Sequence, residues 1–450
     1  MRLFTLYVIS IAFVNYTLVP GVVVSRPPVL MGLVLIGWAL LQTQREGAVP
    51  RPGPFGLMLI VFAATTVLNG AVTRLSGGNM SDYLRIEGQF LIALAIVFAF
   101  VRARLDAHAV ARLLKAWVWV AALAALFGVY EEFARVLDLP YPTLPIAIKG
   151  YTGVHSKEFF GVFAITSWYG EPSWLGSFLL VPLLYVFGVL VLDPPPPYCF
   201  RKKWWAGGLA ALFALALFLS LSQAAYASLA VAAIPVLWSL RERIRVGRMV
   251  KVTGTALALL TITAFVLGGG GANIMRAQWE RVTAIAISWN APERTTQITS
   301  YGVRMSHMLG GLMMWKSAPI TGVGINQMPY VPAARRLMGD PTDASVDSGL
   351  VQLLVEQGIL GFGALLLALA ILWERLNRAR VRASDPGLQF LLLVLMWGLF
   401  IDIVNSAVTH PWHHLQRWTV IALAASLLGT LEASFSAASE TRGRRRDAGA

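Results

Sequence analysis

The stretch "ASVDSGLVQLLVEQGILGFG" covers residues 344–363 and carries a carboxylate, Asp347, two residues before a long apolar run begins. The run continues to about residue 373, which is long enough to cross roughly 30 Å of hydrocarbon as a helix. Asp347 is therefore predicted to lie at the water-facing start of a membrane helix. An acid in that position is the first candidate for a functional group.

The composition of the chain indicates an integral membrane protein. Of its 450 residues, 57% are hydrophobic and 13% are charged, whereas soluble domains carry about 25% charged residues. The net charge of +14 falls in short basic clusters between apolar runs, so we expect it to set membrane orientation and expect no nucleic-acid partner. Cys199 is the only cysteine, and no Cys or His spacing suggests a metal site.

Twelve apolar segments are predicted to cross the membrane as helices. Their approximate spans are 3–24, 28–43, 55–73, 87–102, 113–131, 173–192, 204–221, 223–240, 252–269, 349–373, 387–405 and 417–434. Basic residues concentrate in alternate loops, which places both termini in the cytoplasm. The prediction is an all-α polytopic membrane protein, with residues 1–434 as one integral domain and 435–450 as a basic cytoplasmic tail.

Two segments on the predicted outer side are long, residues 132–172 and residues 270–348. Loops of this length are usually functional or disordered. The second is neither rich in charge nor poor in aromatic residues, so we expect an ordered, partly helical periplasmic loop. Within it, Tyr301–Lys316 has an apolar stripe at helical spacing and is predicted to lie on the membrane surface or to cap the bundle.

Three motifs in this order resemble the O-antigen ligase and O-antigen polymerase superfamily. "YGEPSWLGSFLL" (169–180) is similar to the family's E-P-S segment, and "VRMSHMLGGLMMWKSAPITGVGINQM" (303–328) to its Arg, Trp and P-[IL]-x-G-x-G pattern. "DSGLVQLLVEQGILGFG" (347–363) resembles its polar pair followed by L-x-x-L-x-E-x-G-[IL]-x-G. The twelve-helix plan with one large loop before the tenth helix matches as well.

The resemblance implies a C-type (GT-C-like) glycosyltransferase in the bacterial inner membrane, with its active site facing the periplasm and no metal or other cofactor. Its donor would be an undecaprenyl-diphosphate-linked glycan. In the ligase branch, the polar pair begins with His and an earlier helix carries an S-R motif. Here the pair is Asp347 and Ser348, and Gln223 stands where the Arg would be, which favours the exopolysaccharide polymerase branch.

Asp347 and Arg304 are the predicted catalytic residues. A carboxylate at Asp347 can take the proton from a sugar hydroxyl as that hydroxyl attacks the donor, but an acid here can equally cap the helix. The Arg304 guanidinium can hold two diphosphate oxygens and stabilise their growing charge. The alternative interpretation of Arg304 is a lipid-facing arginine on an interfacial helix.

Further residues are predicted to bind substrate. Glu171 and Ser173 lie at the start of the sixth helix, where Glu171 can contact sugar hydroxyls, orient Arg304 or cap the helix. His307 lies three residues after Arg304 and therefore on the same side of the predicted helix. The basic residues of the large loop are candidates for diphosphate or lipid headgroups: Arg276, Arg281, Arg294, Lys316, Arg335 and Arg336.

Two other clusters admit more than one interpretation. Asp340, Asp343 and Asp347 form an oxygen-rich set that could hold a cation, although their spacing matches no known calcium loop. "THPWHHLQRW" (409–418) could supply a base or a sugar-stacking Trp412, or it could form an aromatic and polar belt at the membrane interface.

The leading functional prediction is a polymerase that joins lipid-linked oligosaccharide repeat units, releases undecaprenyl diphosphate, and works with a flippase and a chain-length regulator. The alternatives are an O-antigen ligase that transfers the glycan to lipid A core, and a transporter of lipid-linked glycan without chemistry. Transporters usually show repeated halves and broken helices, and the sequence shows no internal repeat.

Overall fold

The computed structural model describes residues 1–14, 16, 18, 26–46, 53–75, 77–140, 157–159, 162–169, 171–195, 197–200, 202–240, 300–331, 346, 348–409, 412 and 414–447. Of Arg304 it describes the backbone only. These residues form a helical bundle. The helices are α1 Arg2–Ser10, α2 Pro27–Glu46, α3 Pro54–Leu75, α4 Met80–Ala103, α5 Ala107–Val136, α6 Pro172–Leu192, α7 Lys203–Ser220, α8 Gln223–Leu240, α9 Ser300–Trp315, α10 Gly349–Arg382, α11 Pro386–Val408 and α12 Leu415–Asp447.

One antiparallel hairpin accompanies the helices in the described part of the chain. Its strands are β1 Lys157–Phe159 and β2 Val162–Ala164, with Lys157 opposite Ala164. Three short 3₁₀ segments cover Ile11–Phe13, Ser167–Tyr169 and Met328–Tyr330.

Seven of the described helices are long and apolar enough to cross a membrane: α2, α3, α4, α5, α6, α10 and α11. Three shorter apolar helices cover Arg2–Phe13, Trp204–Ser220 and Gln223–Ser239. The prediction of an all-helical, multi-pass membrane protein is therefore confirmed. The predicted span 252–269 lies outside the described residues, and the orientation and domain boundaries stay predictions.

The first helix is shorter than predicted, because it ends with the 3₁₀ turn at Phe13 rather than near residue 24. In a continuing α-helix, the carbonyl of Ala12 would accept a hydrogen bond from the amide four residues later. Here the indole of Trp168 donates to that carbonyl at 3.0 Å. The amide of Tyr16 turns back to the Phe13 carbonyl instead. A distant side chain therefore takes the acceptor that would extend the helix.

Helix α10 is broken inside its apolar run. Gly358 has φ 64° and ψ −171°, a conformation that only glycine adopts readily. The segment 319–324 lies along the break and pairs with the backbone groups that the break releases. Its four hydrogen bonds are Ile359 N to Pro319 O (2.9 Å), Leu360 N to Ile320 O (3.3 Å), Val323 N to Val355 O (2.9 Å) and Gly324 N to Glu356 O (3.0 Å). Non-helical backbone is tolerated at this depth because protein partners satisfy it.

Helix α9 confirms the predicted amphipathic helix and packs on the first turns of α10. Its contact residue is Gly311, which faces Val346, Val351 and Val355 so closely that a Cβ would approach a Val346 methyl to 2.7 Å. Leu309 and Met313, from the predicted apolar stripe, are 53% and 55% exposed. The helix therefore caps the bundle through its glycine and leaves part of its stripe available to lipid.

Replacing Gly358 by Ala is expected to lower the free energy of unfolding by about 3 kcal/mol, because the backbone conformation is costly for alanine and the added methyl would collide with the Ile320 carbonyl oxygen. Thermal unfolding of the purified protein measures this loss. Gly363→Ala is the matched control, since nothing lies within 4 Å of its Cβ position. That change should stabilise the helix by about 0.5–1 kcal/mol. Equal effects of the two substitutions would contradict this account of the break.

Candidate functional site

At one end of the bundle, α6, α10 and α12 begin and α11 ends. We call this region the polar end and define it by Glu171, Gly349, Thr409 and Leu415. The start of α10 is fixed there directly, since the amide of Gly349 donates to the Thr409 carbonyl at 2.8 Å. The N-terminus of α10 is therefore held against the C-terminus of α11, and the residues before Gly349 enter the bundle at this end.

A buried acid positions the approach to α6. The carboxylate of Glu131 on α5 accepts hydrogen bonds from the amides of Thr166 and Ser167 at 2.9 and 2.8 Å. The Ser167 hydroxyl donates to the Ala124 carbonyl at 2.8 Å, and the amide of Ile165 donates to the Leu219 carbonyl at 3.1 Å. These bonds tie residues 164–169 into the core between α5 and α7. They fix the point at which α6 begins.

Asn405 on α11 links three helices at the polar end. Its side-chain oxygen accepts from the hydroxyls of Ser177 on α6, at 2.9 Å, and Thr409, at 2.8 Å. Its side-chain nitrogen donates to the Ser228 hydroxyl on α8 at 3.1 Å. All four residues are buried. The Ser177 hydroxyl also lies 2.7 Å from the backbone carbonyl of Ser173, which shares the hydroxyl's one hydrogen with Asn405, so the network reaches the mouth of α6.

A buried cation, Arg417, lies beside this network. Its Nη2 donates to the Thr409 hydroxyl at 3.3 Å, and its guanidinium lies 5.6 Å from the ring centre of Trp412. Arg417 is 1% exposed and is electrostatically coupled to Asp402 on α11. Nε and Nη1 of Arg417 and Oδ2 of Asp402 are buried without hydrogen-bond partners within the described part of the chain. A buried, underpartnered charge is costly and marks a candidate functional group in a membrane protein.

A second polar group lies around the break in α10. Glu356 is 3% exposed and accepts from the Asn326 amide at 3.0 Å and the Gln352 amide side chain at 2.9 Å. Both side-chain polar atoms of Gln357 are buried and lack partners among the described residues. The Glu356 contacts hold the 319–327 segment onto α10. Because they join protein to protein, we assign this group a structural role.

The structure places four of the predicted substrate-binding residues. Glu171 is the N-cap residue of α6 and Pro172 is its first residue, as predicted, but the Glu171 side chain makes no capping hydrogen bond. Ser173 is half-buried and connects to Asn405 through Ser177. His307 is half-buried on α9, and Lys316 is exposed just after that helix. Glu171 and Ser173 lie together at the polar end.

The remaining predicted residues are placed in part or not at all. Arg304 lies on α9, seven residues before Gly311 and so on the same helix face. The predicted residues outside the described part are Arg276, Arg281, Arg294, Arg335, Arg336, Asp340, Asp343 and Asp347. The predicted cation site falls among them. The N-cap of α10 is Ser348, whose side chain accepts from the Val351 amide, and both predicted roles of Asp347 stay predictions.

Trp412 is buried, which fits neither its predicted place in an interfacial belt nor its predicted role as a sugar-stacking face. Trp412 is 2% exposed, and the Trp418 indole donates to its carbonyl at 2.7 Å. His410 and His413 lie outside the described residues, whereas His414 packs against Trp174 with ring centres 5.8 Å apart. Arg417 and Asp402 were not among the predicted site residues. The signal available for them was an acid and a base in two apolar helices with no charged neighbour in their own turns.

The described helices and this charged polar end define a multi-pass membrane protein with a candidate site at one end of its bundle. Residues 208–366 match the family model of the O-antigen ligase. The match supports the superfamily of O-antigen ligases and polymerases, as the motifs predicted, and it spans most of α7, then α8, α9 and the broken part of α10. No curated protein matches the chain.

Asn405→Ala is expected to lower the free energy of unfolding by about 1–3 kcal/mol, because it removes the group that joins the hydroxyls of Ser177, Ser228 and Thr409. The matched control is Ser406→Ala. The Ser406 hydroxyl bonds only within its own helix, to the Ile403 carbonyl at 2.6 Å. Unfolding of both purified variants in denaturing detergent measures the difference. A loss for Ser406→Ala as large as that for Asn405→Ala would show that Asn405 does not join the helices.

Arg417→Leu is expected to lower the free energy of unfolding by about 1–3 kcal/mol, because it removes the electrostatic attraction to the buried Asp402 carboxyl and the hydrogen bond to Thr409. Removing both charges in Asp402→Leu/Arg417→Leu should cost less than the single change. The same unfolding assay compares the two proteins, with Arg378→Leu as the control because Arg378 is 66% exposed on the side of α10. Strictly additive losses would exclude coupling between Asp402 and Arg417.

Proposed function

We propose that the chain is a membrane glycosyltransferase that polymerises undecaprenyl-diphosphate-linked oligosaccharide repeat units in surface-polysaccharide biosynthesis. The observation that carries the proposal is that α11 bonds directly to three separate motif regions. Asn405 contacts Ser177 in the E-P-S segment and Ser228 in "SLSQAAYAS" (220–228), the region of the S-R motif. Thr409, which follows α11, contacts Gly349, two residues after Asp347. The match to the O-antigen ligase model over residues 208–366 supports the same class.

In the proposed reaction, a hydroxyl on the non-reducing sugar of one repeat unit attacks the anomeric carbon of a second, lipid-linked glycan. Asp347 accepts the hydroxyl proton as the new carbon–oxygen bond forms. The bond from the anomeric carbon to the diphosphate breaks, and undecaprenyl diphosphate leaves with the bonding electrons. Arg304 stabilises the charge on that leaving group.

The packing of α9 supports joint action of Arg304 and Asp347. Arg304 shares a helix face with Gly311, and Gly311 faces Val346, the residue before Asp347. In the proposal, Glu171, Ser173 and His307 bind sugar hydroxyls. The basic residues Arg276, Arg281, Lys316, Arg335 and Arg336 bind diphosphate or lipid headgroups. The site faces the periplasm from the bacterial inner membrane, uses no metal, and receives substrate from a flippase while a chain-length regulator limits the product.

An O-antigen ligase that transfers the glycan to lipid A core is the second candidate, and the description of the matching family model favours it. We prefer the polymerase because the chain departs from the ligase pattern at two positions. Its polar pair, Asp347 and Ser348, begins with Asp where the ligase pair begins with His, and Gln223 stands where the ligase motif has an Arg. Gln223 begins α8, five residues before Ser228 of the Asn405 network.

The break in α10 is one feature that also fits a transporter, since transporters bind substrate at interrupted helices. Here, however, the segment 319–324 occupies the break and bonds to the released backbone groups. A substrate could not reach those groups without displacing it. The break therefore supports anchoring of the α9 segment better than transport.

Asp347→Asn and Arg304→Ala are each expected to reduce polymerisation about 100-fold or more, leaving single repeat units on the lipid, because one removes the base and the other the charge that stabilises the leaving group. The measurement is the polysaccharide ladder of cells that lack the native gene and carry each variant at matched membrane abundance. Arg378→Ala, an exposed arginine in the distal half of α10, is the control and should keep the full ladder.

The outcomes separate the candidate functions. Long chains that are no longer attached to lipid A core would support the ligase. A full ladder with Asp347→Asn would remove Asp347 as the base and direct the search to Glu171 and His307. Loss of polymer together with lipid-linked units that stay on the cytoplasmic face would support the transporter.

A further inference from the structure

Arg417 is kept in a position that costs free energy. It lies in the first turn of α12, where the positive end of the helix dipole disfavours a cation, and it is almost completely buried. Two of its guanidinium nitrogens, Nε and Nη1, have no hydrogen-bond partner within the described part of the chain. A neutral side chain of similar size would avoid this cost. The cost indicates a role for Arg417 beyond packing.

The end of α11 holds the guanidinium. Asp402 lies seven residues before Thr409, two turns earlier along the same side of that helix. Asp402 attracts the guanidinium electrostatically, and the Thr409 hydroxyl accepts from Nη2 of Arg417 at 3.3 Å. The start of α12 is therefore joined to the end of α11 through one charged side chain.

Thr409 connects Arg417 to the start of α10. As the C-cap residue of α11, Thr409 has extended dihedral angles, φ −144° and ψ −167°, so its carbonyl is turned out of the helix. That carbonyl accepts from the amide of Gly349 at 2.8 Å. The Thr409 hydroxyl is held by Asn405 as well as by Arg417. Arg417 therefore restricts the residue whose backbone fixes the first residue of α10.

The chain is anchored on both sides of Asp347. Val346, the residue before it, is buried against α9. Ser348, the residue after it, is buried and caps α10 with its side chain, and Gly349 follows with its bond to Thr409. The backbone thus enters and leaves position 347 through fixed points. A shift of Thr409 would move one of these points and the backbone of residue 347 with it.

We propose that Arg417 is a positioning residue that acts through Thr409 to hold the backbone carrying Asp347 where proton transfer from the acceptor hydroxyl can occur. This inference rests on the proposed role of Asp347 as the base of the polymerase. Arg417 touches no substrate in the proposal, because it is buried. The effect on rate is expected to be large, since misplacement of a reacting group by about 1 Å can cost about 100-fold.

The first test measures the position of residue 347 without any measurement of activity. Cys199 is the only cysteine, so a Cys199→Ser background accepts site-specific labels. Asp347→Cys and Arg378→Cys then carry nitroxide spin labels in the full-length protein in nanodiscs. Arg378 is exposed in the distal half of α10 and serves as the fixed reference. Double electron–electron resonance gives the distribution of distances between the two labels.

Two variants should disturb this distribution. Arg417→Gln and Thr409→Val are each expected to shift or widen it by about 1 Å or more, the scale of displacement that affects catalysis. The matched control is Ser406→Ala on the same helix. Its hydroxyl bonds only to the Ile403 carbonyl, and the change should leave the distribution as it is.

The second test is the rate of polymerisation by the purified protein in proteoliposomes. The substrate is the lipid-linked repeat unit extracted from cells that lack the native gene. Arg417→Gln and Thr409→Val should each lower kcat about 10- to 100-fold and change KM less than about twofold. The double variant should be no slower than the slower single variant, because both changes break one contact. Arg417→Lys, which keeps the charge beside Asp402, should be faster than Arg417→Gln, and Ser406→Ala should keep the full rate.

Three outcomes would overturn the proposal. The first is an unchanged distance distribution in Arg417→Gln and Thr409→Val. The second is a raised KM at constant kcat, which would indicate substrate binding. The third is a loss of rate that disappears once rates are divided by the amount of folded protein, which would reduce Arg417 to a stabilising residue. If Arg417→Gln does not fold, Thr409→Val decides the question alone, since it removes the contact and keeps the volume of the side chain.

Failure here is distinct from failure of the proposed function. If Arg417→Gln displaces residue 347 but Asp347→Asn retains the full polysaccharide ladder, the positioning of this segment stands and the assignment of the base falls. If Asp347→Asn abolishes the ladder while Arg417→Gln keeps both the distances and kcat, the polymerase stands and the positioning role of Arg417 falls.

Discussion

The pairing between the 319–324 segment and the break in α10 is the constraint on which the rest of the structure depends. Four backbone hydrogen bonds satisfy the groups released at Gly358, and Glu356 adds a side-chain bond to the Asn326 amide. Inside a membrane such groups cannot rely on water. The segment therefore stays bound to α10. Because α9 ends only a few residues before this segment, α9 is held against the start of α10. The position of α9 relative to the bundle follows from this contact.

The polar end combines two properties that usually oppose each other. Its network of Asn405, Ser177, Ser228 and Thr409 is buried and hydrogen-bonded, which gives rigidity. Next to it, Arg417 and Asp402 are buried with unused donor and acceptor atoms, which costs stability. A rigid frame that holds underpartnered charge is a suitable environment for a group transfer that develops charge, because the surroundings need not reorganise.

The sequence predicted the spans, the amphipathic α9 and the motif regions because these depend on local hydropathy and spacing. It did not predict the early end of α1, which depends on the Trp168 indole from a segment more than 150 residues away. It also placed residues 132–172 in an outer loop, whereas Glu131 draws Thr166 and Ser167 into the core. The burial of Trp412 and Arg417 was missed for the same reason. Each depends on which helices become neighbours, and hydropathy along the chain carries no such information.

The last helix completes the bundle against the first. The hydroxyls of Tyr7 on α1 and Thr419 on α12 lie 3.2 Å apart, and the Ser426 hydroxyl accepts from the amide of Leu105 after α4. Arg417 enters with the same helix. During synthesis, the chain must therefore keep α1 and α4 in the membrane, with these partners missing, until α12 has been made. A ribosome that stops before α12 leaves an inserted chain without Arg417 and without these contacts, and such a product is open to membrane quality control.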